Sequence, residues 1–339
     1  MRTCDACGFE NAEPGKPCAL CGSSEIVHAT SDLSTIAGPA TPTPAGGASK
    51  PRVEAGQVFG ERYRALSLLG SGGMGEVFRV EDQTSGQSLA LKVLRPLDSD
   101  DGDRVRRFQR EIQILTRVRH PAVLHILDWG DSPAGLYFVT ELVDGEDLKL
   151  AIRKSGPWPA AETAALGATL ADALAAAHSQ GVVHRDVKPN NVMIARDGSV
   201  RLLDFGLARG AGMDLTTLTR TGTILGTPGY MSPEQFDAHG VDERSDLYSL
   251  GVVLFEVLTG RLPFSGQTPI AVAIAHKTQA PPLPRSLRPG VPAWLERVVL
   301  RCLEKDPARR FASASQLAAE LRRPRDGAPP RARALPSGD

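Results

Sequence analysis

The sequence predicts an α+β protein in which strand patterns come first and helical patterns follow. Three observations carry this. Between residues 63 and 94, short β-branched and aromatic runs alternate with glycine-rich or polar turns. From Ala160 onward the long apolar segments take helical spacing. Four of the five cysteines fall within the first 21 residues, which sets a small separate module ahead of the main domain.

The 339 residues suffice for one large two-lobed domain plus something small. Lys+Arg and Asp+Glu both number 39, so net charge gives no sign of a nucleic-acid or membrane bias. The most apolar stretch, Leu247 to Leu258, is interrupted by Glu256 and falls short of the roughly 20 residues that span a bilayer. The polar, cysteine-bearing start lacks the apolar run of a secretory leader. A soluble cytoplasmic protein without a membrane span is expected.

Residues 1–28 carry Cys4-Asp5-Ala6-Cys7-Gly8 and Cys18-Ala19-Leu20-Cys21-Gly22. Paired CxxC knuckles, each followed by glycine, suit a tetrahedral thiolate site, and the segment resembles a small zinc ribbon. Structural Zn²⁺ on Cys4, Cys7, Cys18 and Cys21 is expected. A disulfide or redox role is disfavoured, because no βαβ pattern surrounds the cysteines. Zinc ribbons bind protein or nucleic acid, and no basic or aromatic stripe here chooses between the two. Residues 29–57 are rich in Pro, Gly, Ser and Thr and read as a disordered linker.

The main domain is expected over residues 58–323. Tyr63 to Leu69 reads as a strand. Leu69-Gly70-Ser71-Gly72-Gly73-Met74-Gly75-Glu76-Val77 follows, with glycines in GxGxxG spacing that let backbone approach phosphates. A dinucleotide site would continue into a helix. Glu76 to Val80 reads instead as a second strand, which favours a hairpin lid over ATP phosphates. The next strand, Ser88 to Leu94, sets Lys92 among apolar neighbours, where an ammonium needs a partner. Residues 104–118 hold Val105, Phe108, Ile112, Leu115 and Val118 at helical spacing, so Glu111 borders the buried face as the proposed partner. Leu136 to Thr140 reads as a strand, and Ala160 to Gln180 as a helix ending at Gly181.

Val182 to Asn191 reads VVHRDVKPNN. Asp186 can accept a hydroxyl proton, Lys188 can neutralise a phosphate, and Asn191 can hold a metal ion. Phosphoryl transfer needs these three functions near one point, since its catalysis is mostly positioning and charge neutralisation. Val192 to Ile194 and Val200 to Leu203 read as strands around the Asp197-Gly198 turn. Asp204-Phe205-Gly206 then stands 18 residues after Asp186. A Thr-rich stretch, 207–226, runs into Gly226-Thr227-Pro228-Gly229-Tyr230-Met231-Ser232-Pro233-Glu234. Asp246 opens a helix, Leu247 to Thr259, that is apolar around most of its surface. Amphipathic segments near 292–304 and 313–322 close the domain, with Cys302 in its core. Residues 324–339 read as a disordered tail.

These motifs, in this order, resemble the eukaryotic-like Ser/Thr protein kinases of bacteria. The resemblance implies a bilobal protein kinase fold, with a β-rich N-lobe and a helical C-lobe, and ATP between them. It implies Asp186 as the catalytic base, Lys188 beside the γ-phosphate, and Lys92 paired with Glu111 on the α- and β-phosphates. Asn191 and Asp204 would hold Mg²⁺ or Mn²⁺. ATP would contact Leu69 to Gly75, Val77, Ala90, the gatekeeper Thr140, the backbone of Glu141 and Val143, and Asp147. Thr227 with Lys188 marks the Ser/Thr class, Glu234 would pair with Arg310, and Asp246 would tether the catalytic loop. Ser232 departs from the family's usual Ala and is expected to be tolerated. Thr219 and Thr221 are the expected autophosphorylation sites, reached through a transient homodimer and held by Arg185. Protein substrates are implied. An inactive ATP-binding scaffold and a small-molecule kinase are the alternatives, disfavoured by the intact catalytic set and by the Thr-rich segment respectively.

Overall fold

A computed structural model describes residues 2–3, 10–11, 53–72, 75–94, 102–205, 228–237 and 240–323, with backbone alone at 2–3, 10–11, 72, 102–105 and 107. Cys4, Cys7, Cys18, Cys21, Gly73, Met74, Thr219, Thr221, Thr227 and the 324–339 tail therefore lie outside the described residues. Two short strands, β1 (Arg2–Thr3) and β2 (Glu10–Asn11), pair antiparallel near the N-terminus.

The N-lobe is an antiparallel sheet in the order β3-β4-β5-β6-β8-β7. Its strands are β3 (Val58–Phe59), β4 (Tyr63–Gly72), β5 (Gly75–Asp82), β6 (Ser88–Leu94), β7 (Ile126–Ser132) and β8 (Gly135–Glu141). Side chains alternate across a pleated strand, so each face has its own set. One face buries Phe78, Val80, Leu89, Leu91, Val93 and Val139 with Phe59 and Tyr63. The other face carries Val77, Ala90, Lys92, Phe138 and Thr140, which the register sets opposite one another across β5, β6 and β8. Four of these five had been named as nucleotide-side residues, and strand parity is the reason they share a face. Gly75 closes the glycine hairpin at φ +151°, and a Cβ there would lie 2.1 Å from the Val93 carbonyl oxygen. No other residue fits that approach.

The fold starts earlier than the sequence suggests. Gly56 N–H donates to Ala65 O, Ala65 N–H donates to Gln57 O, and Val53 packs on the N-lobe core. Residues 53–57 thus belong to the folded domain rather than to the 29–57 linker. Their composition hides this because the bonds are backbone ones. The helix expected over 104–118 is α1 (Gly102–Leu115), burying Phe108, Ile112 and Leu115.

The C-lobe is helical apart from a small sheet, β9 (Gly145–Asp147), β10 (Val192–Ala195) and β11 (Val200–Leu202), in the order β11-β10-β9. Its helices are α2 (Leu148–Ser155), α3 (Ala160–His178), α4 (Glu243–Thr259), α5 (Pro269–Thr278), α6 (Pro284–Leu287), α7 (Ala293–Cys302) and α8 (Ala314–Arg322). Every residue of α4 from Ser245 to Thr259 is buried, so its all-round apolarity belongs to a core helix. It begins one turn before Asp246, because Asp242 accepts the Arg244 N–H as N-cap. No described helix is long and apolar enough to cross a membrane.

Helix α4 packs closely on α7 at Gly251, where an added Cβ would lie 2.5 Å from the Cys302 Cβ. Cys302 is fully buried, and burial pushes its thiol up to about 12, so it acts as core. Gly251→Ala gains up to about 1 kcal/mol of helix propensity but overpacks at a cost of about 1–3 kcal/mol. We expect net destabilisation by roughly 1–2 kcal/mol in urea unfolding, and a smaller cost when the change is made in a Cys302→Gly background.

Candidate active site

Helix α3 ends at His178 with Ser179 as its C-cap, three residues before the Gly181 expected from the sequence, and Gly181 instead takes a left-handed φ of +73° where the chain turns into the 182–191 loop. That loop is held from behind by Asp246, 1 % exposed on α4. Its Oδ2 accepts the His184 backbone N–H at 2.8 Å and its Oδ1 accepts the Arg185 N–H at 2.8 Å. His178 Nε2 donates a third bond, 2.8 Å to Oδ2. Arg185 sits at φ +62°, a strained value for a side-chain-bearing residue. Its carbonyl oxygen accepts Gln235 Nε2 at 2.8 Å, so both sides of the strained residue are fixed. The tether predicted for Asp246 is present in this geometry.

The same loop gathers Asp186, Lys188 and Asn191. Asp186 Oδ2 lies 2.8 Å from Lys188 Nζ. Asn191 Nδ2 donates to Asp186 O at 2.8 Å and to its Oδ2 at 3.0 Å. Both bonds use the amide nitrogen, so Oδ1 is the Asn191 atom that can accept a bond or ligate a cation. Asp204 joins through Leu203, whose N–H donates to Asn191 O at 2.8 Å. The Leu203 carbonyl accepts His184 Nε2 at 2.8 Å, and the His184 Nδ1 receives the Asp186 N–H at 3.3 Å. His184 is therefore the neutral Nε2–H tautomer, and burial lowers its pKa below the ordinary histidine value. Asp204 is a second residue at positive φ, +50°. Phe205 stacks on His184 with ring centroids 4.5 Å apart.

From the N-lobe, the Lys92 ammonium reaches across the cleft and pairs with Asp204 Oδ2. Glu111 was the expected partner; it lies half-buried on α1, and the carboxylate on Lys92 Nζ is that of Asp204. Behind this pair is a small cavity lined by Leu115, Val123, Leu124, Ile126, Phe138, Thr140, Asp204 and Phe205. Thr140, buried at its mouth, donates to Glu141 O at 3.1 Å. Glu141, the last residue of β8, and Val143, between β8 and β9, are both half-buried. Leu69, Gly70, Ser71 and Gly72 end β4. Leu69 is half exposed to solvent at a register shift of the hairpin. Asp147, expected near a ribose, uses Oδ1 to cap α2 through the Leu150 N–H at 2.7 Å.

Beyond the cleft, Glu234 and Arg310 pair as expected. The guanidinium binds both carboxylate oxygens, at 2.7 and 2.9 Å. Its remaining N–H groups donate to the carbonyls of Glu304, Arg244 and Lys305 at 2.8, 3.0 and 3.1 Å. Every donor of a buried guanidinium is thus used. Burial alone would raise the Glu234 pKa, but the bonds from Arg310 and Ser245 outweigh it and hold the carboxyl below its ordinary value. Ser232, fully buried where the resemblance expected Ala, donates from its backbone N–H and its hydroxyl to Gln235 Oε1, at 2.9 and 3.2 Å. Four supporting residues escaped the sequence reading: His178, Gln235, and Lys149 with Glu256, whose Oε1 accepts Lys149 Nζ at 2.6 Å. Each makes its contact 50 or more residues away along the chain, so no local pattern points to it.

The chain resembles known proteins over this region. The family model described as the protein kinase domain matches residues 63–321. Serine/threonine-protein kinase PknB of Mycobacterium tuberculosis is 40% identical over 276 residues, covering 80% of this chain and 44% of the relative. Serine/threonine-protein kinase PrkC of Bacillus subtilis is 36% identical over 267 residues, covering 79% of this chain and 41% of the relative. The chain therefore spans less than half the length of these curated relatives. Among solved structures, the Mycobacterium tuberculosis PknI kinase domain superposes with a TM-score of 0.63 at 30% identity, covering 80% of this chain and 98% of that one.

The buried histidines give the fold an acid limit. His184 is depressed by burial, and His276 is pushed down to about 3 by burial and then by Lys305. In the unfolded chain both take up protons near the ordinary value of about 6.5. Their contribution to stability is complete above that value and is lost as pH falls below it, toward the folded values. We expect stability to fall from about pH 6.5 toward 5 by up to roughly 1.4 kcal/mol per unit for His276, with His184 adding a loss of the same sign. Urea unfolding at several pH values reads this, and His276→Asn should make the slope shallower.

Proposed function

The chain belongs to the protein kinase family, and on that premise we propose that it is a Ser/Thr protein kinase, transferring the γ-phosphoryl group of ATP to Ser and Thr hydroxyls of proteins. The observation that carries the reading is the convergence of Asp186, Lys188 and Asn191 on one loop with Asp204 and Lys92 beside it. Asp186 orients the acceptor hydroxyl and takes its proton as the oxygen attacks the γ-phosphorus and ADP leaves. Lys188 offsets charge at the transferred group, and Lys92 holds the α- and β-phosphates, with Glu111 as its partner when nucleotide draws Asp204 away. Asn191 Oδ1 and the Asp204 carboxylate are hard oxygen donors that suit Mg²⁺ or Mn²⁺, which would neutralise phosphate charge. Leu69 to Gly75, Val77, Ala90, Thr140, the backbone of Glu141 and Val143, and Asp147 form the nucleotide side. ATP supply places this activity in the cytoplasm.

Control is proposed to come from autophosphorylation of Thr219 and Thr221 between two copies that meet transiently. A phosphate there would bind Arg185, whose backbone is already fixed by Asp246 and Gln235. Thr227, two residues before Gly229, marks the Ser/Thr class. Residues 1–28 are read as a zinc ribbon on Cys4, Cys7, Cys18 and Cys21, joined by a flexible linker that ends by residue 53. Support comes from the pairing of Arg2 with Asn11 and Thr3 with Glu10, which brackets the first CxxC pair between antiparallel strands. The ribbon recruits a protein or nucleic-acid partner, and steep loss of binding with salt would identify the latter.

Incubation of the purified chain with Mg-ATP and cell extract, followed by phosphosite mapping, tests the activity. Asp186→Asn should lower phosphotransfer by at least about 10²-fold while leaving nucleotide affinity within a few-fold. Comparable turnover in that variant would remove Asp186 from its role.

The ribbon has its own test. Metal analysis of the full chain should find about one zinc per molecule, and a version beginning near residue 52 should lose it while keeping kinase activity. Zinc retained after that truncation would place the metal elsewhere.

A further inference from the structure

We propose that Lys149 is a positioning residue for the protein acceptor. Acting through Glu256 and Tyr230, it fixes the Pro228–Tyr230 turn that follows the Thr-rich segment. The proposal rests on the kinase reading above and adds a residue that reading does not use.

The geometry is a closed three-membered bridge. Glu256 lies on α4 with its side chain 4 % exposed. Its Oε1 accepts Lys149 Nζ at 2.6 Å, and its Oε2 accepts the Tyr230 hydroxyl at 2.6 Å. Lys149 Nζ also donates to the Tyr230 oxygen at 3.5 Å. A buried ion pair is an expensive way to fill space, because desolvation offsets most of its attraction, and apolar side chains of similar volume often do as well. What it supplies is direction: each bond fixes one element against another.

Those elements are the relevant ones. Lys149 stands in the first turn of α2, two residues after Asp147, which caps that helix and pairs with Met193 of β10 on the nucleotide side. Tyr230 ends the short 3-10 turn Pro228–Tyr230. Glu256 stands ten residues after Asp246 on α4, about 15 Å along the helix axis. One rigid helix therefore holds the catalytic loop at one point and the turn at another. Loss of the second attachment leaves Asp246 and its loop in place and frees only the turn. The effect should appear in acceptor binding rather than in nucleotide binding or the chemical step.

The experiment is steady-state kinetics of the full chain with dephosphorylated casein as acceptor. Lys149→Met should raise KM for casein by about tenfold, with KM for ATP unchanged and kcat within about threefold. Tyr230→Phe removes one oxygen only, is the milder change, and should shift KM for casein the same way. The double variant should be no worse than the poorer single one, because both break one bridge. Lys149→Arg, which keeps the charge and donors, should recover most of the wild-type KM. An unchanged KM for casein in Tyr230→Phe, or equal losses for ATP and casein, would overturn the proposal. If Lys149→Met does not fold, Tyr230→Phe and Lys149→Arg decide by the same readings. Absence of phosphotransfer by the wild-type chain would instead overturn the kinase reading itself.

Discussion

The Asp246 carboxylate is the interaction on which the active-site loop depends. A charge buried this completely costs several kcal/mol unless hydrogen bonds compensate it. Here two backbone N–H groups of consecutive residues, His184 and Arg185, and one imidazole N–H do so. Charge-assisted bonds are worth about 1.5–3 kcal/mol each, while a non-glycine residue at positive φ costs about 1–3 kcal/mol. The two backbone bonds together outweigh the strain at Arg185. The loop accordingly holds a shape its own residues would not choose, and that shape turns Asp186 toward Lys188 and Asn191.

Helix α4 extends the same logic along its length. It is apolar enough to be buried on every side, yet Ser245, Asp246 and Glu256 each spend their polar atoms on a different piece of the substrate side. Ser245 donates to Glu234 Oε1 at 2.6 Å, which joins α4 to the Glu234–Arg310 pair. Removing one member of such a pair would strand a buried charge at a cost of about 3–5 kcal/mol, far more than the pair itself contributes. Specific geometry is what these charges provide. Close packing provides the rest, since Gly251 lets α7 approach until no methyl group fits between them.

Local chemistry was legible in the sequence wherever the function and its supports lie close along the chain. Asp186, Lys188 and Asn191 sit within six residues, so their cooperation could be read before any fold was known. The strand parity of Val77, Ala90 and Lys92 was likewise implicit in alternation, as was the burial of Leu247 to Leu258. Long-range partners were not legible. Lys92 pairs with Asp204 across 112 residues, and Lys149 with Glu256 across 107, with nothing local to connect them. Helix α2 was passed over because its eight residues give little more than two turns of pattern, and its start is fixed by the Asp147 cap rather than by periodicity. Asp147 illustrates a related difficulty: one carboxylate suits both a ribose contact and a helix cap, and only the fold reveals the Leu150 bond.

The division of labour between the lobes follows from these attachments. Asp186, Lys188, Asn191 and Asp204 are all fixed within the C-lobe, by Asp246 and by the Leu203 backbone that links Asn191 to His184. The N-lobe contributes the Lys92 ammonium, carried on a sheet face whose opposite side is packed separately. A displacement of one lobe against the other therefore leaves Asp186, Asn191 and Asp204 in register while changing the Lys92–Asp204 contact. Such an arrangement lets the cleft open without dismantling the 182–191 loop. The change is then confined to the one partly buried Lys92–Asp204 pair and spares the fully buried Asp246 carboxylate, whose loss of partners would cost far more.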